Sequence, residues 1–80
     1  MPYVDKDRRP ALDEGGIMAN AGDLNYMITN LILRYMNTHN PGYQALNDIV
    51  GALEGAKMEF YRRKVIPYEN IKIKENGDCY

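Results

Sequence analysis

Tyr61, Arg62, Arg63 and Lys64 follow one another in the chain, and Pro67, Tyr68 and Glu69 come directly after. Guanidinium forks match phosphate oxygens in pairs, and a tyrosine offers both a stacking face and a hydroxyl. A pocket for a nucleotide-like anion needs those groups. The plain alternative is that cations at a helix C-terminus stabilise the helix dipole, by about 0.3–1 kcal/mol, with no ligand present.

Other groupings carry weaker chemistry. Asn20, Gly22 and Asn25 near the start of a helix would set free amides toward an anion, but Asp23 in the same turn opposes one, so ordinary capping is the better reading. Seven tyrosines and one phenylalanine favour interfaces and stacking sites; Tyr35 and Tyr43 read as core or interface positions, leaving Tyr3, Tyr26, Tyr68 and Tyr80 for other work. Cys79 lies next to the last residue with no motif around it, which makes a Cys79–His39 nucleophile pair a poor reading. Asp48, Glu54 and Glu59 lack the spacing to His39 that a di-metal bundle site requires, and read as a solvated face. No metal, cofactor or catalytic residue is expected.

Eighty residues form one domain at most, here 1–80, and a chain of this size is marginal alone. One cysteine excludes an internal disulfide, and one histidine with no Cys-x-x-Cys leaves no structural zinc site within the chain, so oligomerisation is the rescue expected. The net charge of −1 is unevenly spread: from Lys57 to Lys74 six cations meet two anions. That is too little for nucleic-acid binding as the first reading. No stretch has the apolar length of a membrane span, and residues 1–5 do not resemble the start of a signal peptide, so a cytosolic protein is expected.

The elements that must position these groups follow from hydrophobic spacing. Residues 1–19 read as an irregular arm with one short helical turn around Pro10, ended by Gly15-Gly16. Asn20 caps a helix over 20–37, whose stripe is Leu24, Met27, Ile28, Leu31, Ile32, Tyr35 and Met36. Asn40-Pro41 opens a second helix, 41–66, with Leu46, Ile49, Val50, Leu53, Ala56 and Phe60 on one face, and Pro67 is expected to stop it. Gly51, Ala52, Gly55 and Ala56 are small enough for another backbone to come close. Alternation at Ile71–Lys74 predicts a short β-like tail within 67–80, with residues 1–4 as the candidate partner strand. The expected fold is mainly α: a two-helix antiparallel hairpin that assembles into an oligomeric helical bundle.

From Gly22 onward, Gly22–Tyr26, Asn47–Ile49, Gly51–Glu54, Glu59–Arg63, Pro67–Glu69 and Glu75–Asp78 with Tyr80 form a pattern covering about three quarters of the chain. It resembles a family of small uncharacterised domains met in bacteriophage and prophage genomes. The arm is short and glycine-interrupted relative to that pattern. The resemblance implies a phage-related setting and no assigned activity. By analogy of type it is similar to phage anti-defence sponges that sequester cyclic nucleotide signals. The expected function is therefore non-enzymatic sequestration of a cyclic oligonucleotide or related nucleotide at a subunit interface. Arg62, Arg63 and Lys64 would hold phosphates with Tyr61 beside them, Tyr26, Tyr68 and Tyr3 would stack on bases, and Asn25 and Asn30 would read polar edges. The rival expectation is a protein-interaction module acting on a host or phage protein.

Overall fold

The structure, a computed structural model, describes residues 4–39 and 42–80. It is mainly helical, and among the described residues there is no strand. Two compact units divide the chain, one ending at Ala45 and the other starting at Leu46.

The first unit begins with a 3-10 turn, Lys6–Arg8, that leads into a short helix α1, Arg9–Asp13, with Pro10 in its first turn. The glycine pair ends α1 as the sequence predicts. Gly15, at φ 94°, donates its N–H to the Leu12 carbonyl, and Gly16 donates to the Ala11 carbonyl at 2.8 Å. These two bonds form a Schellman closure, which needs a left-handed residue at its first position. Gly16 is constrained as well, because a Cβ there would meet the Ala11 oxygen at 2.7 Å.

Helix α2, Ala21–Thr38, starts at the predicted cap: the Asn20 side chain accepts from the Asp23 amide at 2.9 Å, and the Asp23 carboxylate accepts from the Ala19 amide at 2.8 Å. Asn20 satisfies one helix-start donor, and Asp23 reaches back to the amide one residue before the cap, a variant of the capping box. Among the described residues the buried apolar side chains are Val4, Leu12 and Ala45.

Helix α3, Tyr43–Phe60, carries the predicted apolar stripe. The proposed start at Asn40-Pro41 lies outside the described residues, as does Tyr3. The predicted stop at Pro67 is overturned. A π-helical turn, Tyr61–Val65, follows α3 directly and passes into a further helix α4, Ile66–Asn76, so that helical backbone runs unbroken through the proline. In a regular α-helix the Pro67 ring would press on the carbonyl four residues back. Here the Ile66 amide donates to the Tyr61 carbonyl, five residues back, and the widened turn makes room for the ring. Ile66, the residue before proline, keeps helical angles of −59° and −48°.

The predicted β-like tail is overturned by the same helix. Four alternating residues are a short signal, and local pairs favour the helix: the Lys72 ammonium lies over the Tyr68 ring and bonds Glu75 at 3.2 Å. Gly77, at φ 86°, ends α4 by donating to the Ile73 carbonyl. Among the described residues no helix is long and apolar enough to cross a membrane.

Candidate anion-binding surface

The π turn carries the cationic run. Arg62 Nη2 donates to Glu59 Oε1 at 2.6 Å, and Arg63 Nε donates to the same oxygen. One carboxylate oxygen therefore gathers two guanidinium groups, and these hydrogen bonds, first from Arg62 and then from Arg63, hold the Glu59 carboxyl below its ordinary pKa. Each guanidinium has five N–H donors, so most remain for another acceptor. Lys64 follows as a third exposed cation.

Tyr61 is anchored across the π turn: its hydroxyl donates to Glu69 Oε1 at 2.9 Å, and that bond to a carboxylate raises the phenol's pKa. Beside it runs an open groove of about 660 Å³ whose lining includes Glu54, Lys57, Met58, Tyr61, Arg62 and Ile66. The groove mixes charges, with Lys57 and Glu54 3.9 Å apart. Arg62 and Arg63 are thus brought together on Glu59, while Tyr61 is held by Glu69. Tyr68 is turned to Lys72 instead, its ring centre 5.6 Å from the ammonium.

Asn25, Tyr26 and Asn30 belong to the first unit. Tyr26 and Asn30 do share a helix face, as their spacing predicts, and that face is already engaged: the Tyr26 hydroxyl and the Asn30 amide both donate to Asp13 Oδ1 at 2.8 Å. Arg9 lies over the Tyr26 ring at 5.9 Å. These bonds hold α1 to α2. Asn30 also borders a smaller groove of about 330 Å³ with Arg34 and Asn37. Asn25 is exposed, and its backbone carbonyl accepts from the Thr29 hydroxyl at 2.9 Å.

Sequence reasoning missed the partners that organise both units. Glu59 was legible, since acids three and four residues before an arginine pair with it on a helix. Asp13 and Arg8 left no local signal. Arg8 grips Asp23 with two bonds, of 2.8 and 2.6 Å, and with the Ala19 amide it holds the buried Asp23 carboxyl below its ordinary pKa, while its own rises.

The family described as a domain of unknown function (DUF6899) matches residues 1–79, and the chain belongs to that family. No curated protein and no solved structure matches it.

Proposed function

We propose that this family member is a non-enzymatic binding protein that sequesters a phosphate-bearing nucleotide signal, of the cyclic oligonucleotide kind, at the surface built by Tyr61, Arg62, Arg63 and Lys64. The observation that carries this reading is the convergence of Arg62 and Arg63 on one oxygen of Glu59. A phosphate offers several such oxygens and a larger charge, so it can take the spare donors of both arginines or displace Glu59. A π turn in a helix is itself a frequent mark of a working site. In this reading the protein acts as a homo-oligomer in the cytosol of a phage-infected host and withdraws an immune signal by mass action.

Because Tyr26 and Asn30 serve Asp13, the proposed site is narrowed to the π turn, with Tyr61 as the aromatic member. The test is a thermal-shift panel of cyclic dinucleotides, cyclic trinucleotides, cyclic ADP-ribose isomers and linear controls. A ligand at about 100 times its Kd stabilises by about 2.7 kcal/mol. A selective rise in Tm that disappears in Arg62→Ala and Arg63→Ala is expected; a rise untouched by either substitution rejects the site.

A protein-interaction module is the second reading, and the exposure of Tyr68, Ile71 and Ile73 along α4 favours it. A flat nucleotide panel together with a stoichiometric protein partner that is lost in Tyr68→Ala or Ile71→Ala would establish that reading in place of the first.

A further inference from the structure

Tyr61 and Ile66 both line the open groove beside the cationic run, together with Met58 and Arg62. Residues five apart in a regular α-helix stand about 140° from each other around the axis, on different faces. Tyr61 and Glu69, eight apart, would stand about 80° from each other, yet the Tyr61 hydroxyl reaches Glu69 Oε1 at 2.9 Å. Both juxtapositions have one cause. The Ile66 amide donates to the Tyr61 carbonyl, five residues back, so this turn holds one residue more than an α turn. Whatever follows is set back by the rotation of one residue, about 100°, and that carries Ile66 and Glu69 round to the side of Tyr61.

The two parts of the surface depend on this register to different degrees. Glu59 meets Arg62 and Arg63 at spacings of three and four, and such pairs form on any α-helix. The phosphate-holding donors therefore do not need the π turn. The groove does: in a regular helix Ile66 leaves the wall that it shares with Tyr61, and the phenol loses its acceptor. Arg62 belongs to both parts, since it bonds Glu59 and lines the groove.

We infer that Pro67 is a positioning residue that sets specificity at this surface: it holds the π turn, and the π turn joins the arginine pair to a groove that receives the part of a nucleotide beyond its phosphates. Pro67 acts through backbone register and without touching the ligand. Its ring excludes the regular turn, in which it would press on the Arg63 carbonyl, four residues back. The inference rests on the nucleotide reading of the surface. It adds that base and ribose are received by the wall of Tyr61 and Ile66, so that bare phosphates are the poorer ligands.

Pro67→Ala removes the ring and restores an N–H, and because alanine is the better helix former the variant is expected to melt above the wild type. A substitution that merely damaged the fold would move the melt the other way. Register is read without ligand, from the scalar coupling across the hydrogen bond between the Ile66 amide nitrogen and the carbonyl carbon that accepts from it. In the wild type that carbon should be Tyr61's, and in Pro67→Ala it should be Arg62's. Binding is read by calorimetry with two probes, ADP and inorganic pyrophosphate. The wild type should hold ADP several-fold more tightly than pyrophosphate, and Pro67→Ala should lose that preference. A coupling that stays on Tyr61 in the variant overturns the inference, and so does a preference for ADP that survives the change of register or is missing from the wild type. A wild type that binds neither probe overturns the nucleotide reading of this surface and the inference with it, whereas the other failures overturn the inference alone.

Discussion

The two units are held by different kinds of contact. In the first, the polar bonds that matter span long sequence separations: Arg8 to Asp23, and Asp13 to Tyr26 and Asn30. In the second, the polar pairs are local steps along one stretch of helix, such as Glu59 with Arg62 and Arg63, or Lys72 with Glu75. Long-range bonds order the chain around them, and their donors are committed to that task. Local pairs on an exposed helix contribute little to stability and leave their groups available for exchange. The same residue types are thus tied into the fold in one unit and stand in exposed local pairs in the other.

Substitution of Asp23 should separate the units most sharply. Asp23→Ala removes the helix cap's reciprocal bond and leaves Arg8 without its carboxylate, and a melt followed by circular dichroism should fall by on the order of 10 °C. Acid should act on the same point. Because the folded Asp23 carboxyl sits below its ordinary pKa, its contribution is fully present above about pH 4 and is lost as the pH falls through the lowered folded value. Wild type should therefore lose Tm in that acid range more steeply than Asp23→Ala. Equal slopes would show that the Arg8 grip is not what holds the unit.

Asp13→Ala should cost less, about 5 °C, since each of its two bonds is exposed to water. It also releases Tyr26 and Asn30, and proton-exchange protection of amides in residues 9–13 should fall with it. Gly51→Ala should move in the other direction by a few degrees, because alanine is better than glycine in a helix by about 1 kcal/mol and the added methyl meets open space. The smallest thermal effect is expected for Glu59→Gln, under about 2 °C as for any exposed ion pair. That substitution should nevertheless tighten binding of the nucleotide found by the panel several-fold, since it withdraws the charge competing for Arg62 and Arg63. Weaker binding would mean that Glu59 positions the arginines for the ligand and does not compete with it.

Much of the fold was legible because its signals are local. Asn20 and Asp23 announced the start of α2, Gly15-Gly16 the end of α1, and the spacing of Leu46, Ile49 and Leu53 the face of α3. Pro67 misled, because its rule assumes a regular α-turn before the ring, and one extra residue in the Tyr61–Val65 turn removes the clash. The Ile71–Lys74 alternation misled because four residues fit either period, and the pairs Tyr68–Lys72 and Lys72–Glu75 exist only in the helix. At the candidate site, the cations and Tyr61 could be read from their order in the chain; Glu59 was read as part of a solvated face, although its spacing of three and four to the arginines carried the signal for the pairing.

By itself, then, the sequence determined the helical class, the capping of α2, the apolar stripe of α3 and the cationic run, since each depends on residues within a turn or two of one another. Only the tertiary structure decided that Asp23 would be gripped by Arg8 and that Tyr26 and Asn30 would be spent on Asp13. Those bonds join side chains more than ten residues apart, and no local spacing encodes which of several equivalent donors and acceptors will meet once the chain has turned back on itself.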